Sequence, residues 1–143
     1  MKFDLDSLDT KSLSDTGVDM VIHQFGTTEP LVARNGGTVS LKLLGPDSDK
    51  YRTFTRVQVQ KRLQKNSEIR LFVPNLEEAE ADSLDMLAAC TVGWANVLDR
   101  EGVEIPFSSE SARILYVNYP VVREQADLFV VTRANFLKAP SGS

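Results

Sequence analysis

Asn35-Gly36-Gly37-Thr38-Val39-Ser40-Leu41-Lys42-Leu43 decides how the first third of this chain is read. Asn followed by Gly tolerates the positive φ of a tight turn, so residues 35–37 predict a hairpin. Beyond the turn, Val39, Leu41 and Leu43 alternate with Ser40 and Lys42, the period-2 pattern of a strand with one buried face. Upstream, Val18, Met20 and Ile22 alternate with Asp19, Val21 and His23 in the same way. Gly26-Thr27-Thr28-Glu29-Pro30 is turn chemistry, followed by a short apolar piece, Leu31-Val32-Ala33. Residues 17–44 are therefore expected to form an antiparallel β-meander of about three strands.

Outward from that meander the pattern turns helical. Gly45-Pro46-Asp47-Ser48 stops the last strand, and Asp47 or Ser48 can cap a helix by accepting from a free N-terminal N–H. Thr53–Gln60 alternates as a strand would, but the cap and the run Gln60-Lys61-Arg62-Leu63-Gln64-Lys65 favour helix over 50–65. Residues 76–94 read as one amphipathic helix, with Leu76, Leu84, Leu87, Ala88, Thr91 and Trp94 on one side. Glu77, Glu78 and Glu80 complement the dipole at its start. Residues 95–107 read as a loop or small hairpin around Asp99-Arg100-Glu101-Gly102. Ser108 or Ser109 caps a short helix carrying Ala112, Leu115, Tyr116 and Tyr119; Pro120 ends it and starts the next. The last helix is expected over 121–138, with Val121, Val122, Gln125, Leu128, Phe129, Thr132 and Phe136 on one stripe.

The expected fold class is α+β: a small N-terminal antiparallel β-meander followed by a helical C-terminal part of about four helices. Residues 1–16 are acidic and polar and are expected to be a flexible arm. Residues 17–138 form one domain, with 17–44 the meander and 45–138 mainly helical, and 139–143 read as a disordered tail. With 143 residues, 42% hydrophobic and 25% charged, the chain has ordinary globular composition and enough length for a core. Sixteen basic against 20 acidic residues give a net charge of -4, which argues against a dedicated nucleic-acid binder. Cys90 is the one cysteine, so no intramolecular disulfide forms. The first residues lack an apolar signal-peptide core, and Leu128-Phe129-Val130-Val131 is far short of the roughly 20 residues of a membrane helix. A soluble intracellular protein is expected.

Residues able to do chemistry are sparse. His23 is the one histidine, and no nucleophile motif accompanies it. Cys90 lies in an apolar stretch and reads as a core residue. Asp99, Glu101 and Glu104 share a loop without the spacing of a calcium site. No phosphate-binding glycine loop is present. An enzyme is not expected, and neither is a cofactor, a metal or a small-molecule substrate. Charge, by contrast, is strongly segregated. Lys50, Arg52, Arg56, Lys61, Arg62 and Lys65 have no acid among them; Glu77, Glu78, Glu80, Asp82 and Asp85 have no base among them. The two segments either pair within one molecule, at about 0–1 kcal/mol per exposed pair, or pair between subunits, as complementary patches on one chain allow.

Three segments together resemble the bacteriophage tail assembly chaperone family. They are GPDSDKYR at 45–52, VGWANVLDREGVEIPFSSESARILY at 92–116 and YPVVREQADLFVVTRANFLK at 119–138. The positions that carry the likeness are Trp94, Asp99, Gly102, Pro106, Phe107, Ser108, Glu110, Ala112 and Leu115, then Pro120, Gln125, Phe129, Asn135 and Phe136. The resemblance implies a scaffold without catalytic chemistry, acting in the host cell cytoplasm and absent from the mature virion. It implies binding to the tape measure protein, whose apolar helices need cover, and recruitment of tail tube protein. A permanent virion component, such as a tail completion or head–tail connector protein, is the alternative. Homo-oligomers are expected. The expected partner-binding residues are Trp94, Leu98, Phe107, Leu128, Phe129 and Phe136 for apolar contact, and Arg56, Arg62, Glu77 and Glu80 for charge pairing.

Overall fold

A computed structural model describes residues 5–68 and 76–137. Among the described residues it shows a mixed α+β fold: five α-helices and a three-stranded antiparallel sheet. In chain order the elements are α1 (Lys11–Thr16), β1 (Val18–Val21), β2 (Ser40–Leu43), α2 (Asp49–Glu68), α3 (Leu76–Cys90), β3 (Thr91–Ala95), α4 (Ser109–Asn118) and α5 (Pro120–Val131). Short 3₁₀ turns cover Leu5–Leu8 and Arg133–Phe136.

The sheet order is β1-β2-β3. Met20 stands opposite Leu41, which stands opposite Trp94; Val18 stands opposite Leu43, which stands opposite Thr91. Those rows form the inner face, and Leu41 and Leu43 are fully buried. Leu84 and Leu87 of α3, Ala112 and Tyr116 of α4, and Ala126 and Val130 of α5 cover it. Asp19 and Lys42 pair on the other face and remain exposed, as the alternation required.

The meander expected within 17–44 is corrected by the structure. Only two of its strands lie there; the third, β3, follows α3. Leu31 and Val32 are exposed, and their segment makes isolated bridges, His23 to Pro30 and Val32 to Thr38, within the long β1–β2 connection. A strand of that length with no buried face has nothing to hold it in a sheet. The turn itself forms where expected: Gly36 has φ 85°, and the Gly37 N–H donates to Asn35 Oδ1 at 2.9 Å.

The helix expected over 76–94 likewise ends earlier, at Cys90. Its last carbonyls are taken without a loop. The Thr91 hydroxyl donates to the Leu87 carbonyl at 2.8 Å, and the Leu44 N–H donates to the Cys90 carbonyl at 2.7 Å. Thr91, Val92 and Trp94 favour extended backbone, and the free edge of β2 supplies the hydrogen bonds. The register shifts between Lys42 and Leu43, leaving Val92 as an extra residue in a bulge.

Residues 49–68 are helical, and Ser48 is the cap, its Oγ accepting from the Tyr51 N–H at 3.1 Å. Ser108 caps α4 in a reciprocal box with Ser111, at 3.0 and 2.8 Å. Pro120 opens α5. This helix stops at Val131 rather than 138, because side chains take its last carbonyls: Thr132 Oγ1 binds Leu128 O at 2.6 Å, and Asn135 Nδ2 binds Phe129 O at 3.1 Å. The expected tail at 139–143 lies outside the described residues.

Residues 11–16, expected within a loosely held arm, form α1 and dock. Ser14 is fully buried, and its carbonyl accepts from the Gly45 N–H at 3.0 Å. The Phe136 ring lies over the same glycine: a Cβ on Gly45 would stand 2.8 Å from that ring and would strike the Ser14 hydroxyl. Asp47 completes the clamp. It accepts from Thr10 Oγ1 at 2.5 Å and from the Arg133 guanidinium fork at 3.0 Å.

Two outcomes are expected. Gly45→Ala should cost about 1–3 kcal/mol through overpacking, read as a lower urea midpoint with an unchanged slope. The Arg133 guanidinium, then the Thr10 hydroxyl, hold the Asp47 carboxyl below the ordinary aspartate value. A depressed folded value means stability that is complete above the unfolded value of about 3.9 and is lost as pH falls through the folded value. Thermal melts at successively lower pH should show that loss, and Asp47→Asn should reduce it.

Candidate functional site

The expected docking residues do not form one surface. Trp94 sits in β3, half-buried, with its indole N–H donating to the Ile105 carbonyl at 2.8 Å. Phe107 meets it edge-on, with ring centroids 5.2 Å apart at 86°. Leu98 is half-buried in the bridge to Glu104. These three shape the β3–α4 connection. Asp99 Oδ1 accepts from the Glu101 and Val103 N–H groups at 2.8 and 3.0 Å, and Gly102 takes φ 83° in the same turn.

Phe136 is corrected outright as a contact residue. It is fully buried against Phe129, with ring centroids 5.6 Å apart, and has no surface to offer. The stripe read on the last helix runs past its end, and the 3₁₀ turn swings Phe136 inward. Phe129 is half-buried beneath it. Leu128 is different: it is 68% exposed.

Leu128 opens onto a groove of about 490 Å³ between α2, α3 and α5. Met86 and Leu87 of α3 and Leu128 and Val131 of α5 give it an apolar surface. Tyr51 enters from the first turn of α2, and Ser83, Glu124 and Asp127 supply its polar groups. Spacing explains the α5 side. Ala126 and Val130 face the core, whereas Glu124, Leu128 and Val131, at i, i+4 and i+7, are exposed. Burial pushes the Asp127 carboxyl up against the opposing pull of Arg123, and burial also raises the Tyr51 hydroxyl. Arg123 Nε lies 3.7 Å from Asp127 and its Nη1 3.5 Å from Glu80, so one arginine ties α5 to α3 beside the groove.

No family model, curated protein or solved structure matches this chain.

Of the charged candidates, Glu80 therefore has a partner within the fold, and Asp85 pairs with Arg113 at 2.9 Å. The acidic face of α3 thus meets arginines of α4 and α5. Glu77 and Arg56 are exposed. Arg62 belongs to α2, but its side chain lies outside those described. Sequence reasoning missed Tyr51, Met86, Glu124, Asp127 and Val131. The signal for the α5 members was available, since that helix has apolar residues on two faces and only one is needed for the core.

A second, wider hollow of about 810 Å³ lies between the 23–29 loop and α5. The Gln125 amide holds that loop by both backbone groups of His23, at 2.9 and 3.0 Å, and leaves Phe25 82% exposed. Cys90 is fully buried, and burial pushes its thiol up to about 11. Among the described residues no helix is long and apolar enough to cross a membrane.

Leu128 and Phe136, which the sequence sets on one stripe, should part company on mutation. Leu128→Ser should change stability by within about 0.5 kcal/mol, as for an exposed site, whereas Phe136→Ala should cost about 3–5 kcal/mol. Paired urea titrations of the two variants check this.

Proposed function

We propose that this chain is a phage tail assembly chaperone that works by surface contact and carries no catalytic site. In this reading it binds the tape measure protein in the host cytoplasm, keeps its apolar helices soluble and helps bring tail tube protein to it. The observation that carries the reading is the exposed apolar groove of α2, α3 and α5, where Leu128 and Val131 lie open beside Met86 and Leu87. An amphipathic helix presents apolar residues at i, i+3, i+4 and i+7, and a helix-lined groove is a natural receptor for such a row.

The residues that carry the family resemblance fit a scaffold. Trp94, Phe107, Asp99 and Gly102 build a turn, Ser108 caps a helix, Pro120 starts one, and Phe136 locks the Arg133–Phe136 turn onto the body. Each has a structural task that needs no reactive group. A permanent virion component is the second reading, favoured by the tight docking of residues 10–16 and 133–136 around Gly45, and mass spectrometry of finished particles separates the two.

Co-expression with the tape measure protein tests the proposal. The wild-type chain should move that partner from the pellet to the supernatant. Leu128→Asp combined with Val131→Asp should lose the effect while folding normally, because both side chains are exposed. Unchanged precipitation with the wild-type chain would reject the reading.

A further inference from the structure

We propose that, before any client arrives, the α2–α3–α5 groove is occupied by helix α2 of a second copy of this chain. This occupancy rests on the preceding reading of that groove as the binding surface.

Helix α2 has two distinct faces. Tyr51, Phe54, Thr55 and Gln58, at i, i+3, i+4 and i+7, are the partly buried ones, and Gln58 Nε2 donates to the Asp82 carbonyl of α3 at 2.9 Å. Arg52, Arg56, Val59 and Leu63, at i, i+4, i+7 and i+11, lie on another face and are all exposed. Val59 is 47% and Leu63 63% accessible, a large apolar exposure for one helix face. With 20 residues, α2 is roughly 30 Å long, yet its packed positions end at Gln58 among the side chains described. That face therefore sets the apolar pair Val59 and Leu63 in line with the cationic Arg52 and Arg56, of which Arg52 lies within electrostatic reach of Asp47.

The groove is the complement in both respects. Its floor is apolar, through Met86, Leu87, Leu128 and Val131, and its charged rim is acidic, through Glu124 and Asp127. Glu124 has no ion-pair partner among the described residues. Seating Val59 and Leu63 on that floor sets Arg52 and Arg56 against the rim, so one contact removes apolar surface from both partners and matches opposite charge. Tyr51 lines the groove and belongs to α2, so donor face and receptor lie close together on each molecule. Two copies can then exchange the contact reciprocally and close a two-fold dimer.

The consequence for function is that each chaperone shields the other's sticky surface, and a client helix must displace α2 to bind. Sedimentation of the purified full chain, with no partner present, tests this. The wild type should be a dimer whose affinity falls as salt rises. Arg52→Glu with Arg56→Glu should lower dimer affinity by about tenfold or more, and so should Ser83→Lys with Glu124→Lys. These four positions are exposed, and circular dichroism should show both variants folded. Mixed in equal amounts, the two variants should associate again, because each α2 then meets a groove of opposite charge. A wild type that stays monomeric, variants that still dimerise, or folded variants that fail to associate on mixing would each overturn the inference. None of those results bears on client binding, which the co-expression experiment decides separately.

Discussion

Strand β2 has one face that must be hidden, and hiding it organises the molecule. Leu41 and Leu43 point the same way because side chains alternate along a strand, and both are fully buried. Two hydrogen-bonded neighbours widen that face with Met20 on one side and Trp94 and Thr91 on the other. Helices α3, α4 and α5 then have a single place to put their apolar stripes. Tyr116 illustrates how closely the layers are joined: its hydroxyl shares a buried hydrogen bond of 2.7 Å with Thr91, where α3 turns into β3. Full burial of the ring raises its hydroxyl pKa further above the ordinary tyrosine value, although that bond partly offsets the shift.

Because the helices commit one face to the sheet, their other faces determine what the protein can touch. On α5 the division is clear, with Ala126 and Val130 inside and Leu128 and Val131 outside. Both sets are apolar, so the helix is greasier than its core role requires. The groove beside α3 follows from that excess. Its acidic rim follows from Glu124 and Asp127, which sit at the same spacing on the same helix.

Much of the local punctuation was legible in the sequence. The Asn35-Gly36 turn, the caps at Ser48 and Ser108 and the start at Pro120 each depend on the chemistry of a few adjacent residues, which a sequence displays. The third strand was not. Leu84, Leu87, Ala88, Thr91 and Trp94 keep helical spacing through the point where the helix ends, so periodicity alone carries the reader past Cys90. What ends the helix is the edge of β2, a partner distant along the chain. Phe136 escaped for a related reason. Its place on the stripe is correct in spacing, but Thr132 breaks the helix first and the ring turns inward. The groove was half visible, in Leu128, while its other wall needed the packing of α2 and α3 to bring Tyr51 and Met86 alongside.

The clamp at Gly45 joins three pieces of chain that are far apart in sequence. Helix α1 contributes Ser14 and Thr10, the closing 3₁₀ turn contributes Phe136 and Arg133, and the segment between β2 and α2 supplies Gly45 and Asp47. Neither α1 nor the 3₁₀ turn can lift away without baring the other. Fraying of α1 is thereby coupled to fraying of the Arg133–Phe136 turn, and hydrogen exchange in these two segments should rise and fall together.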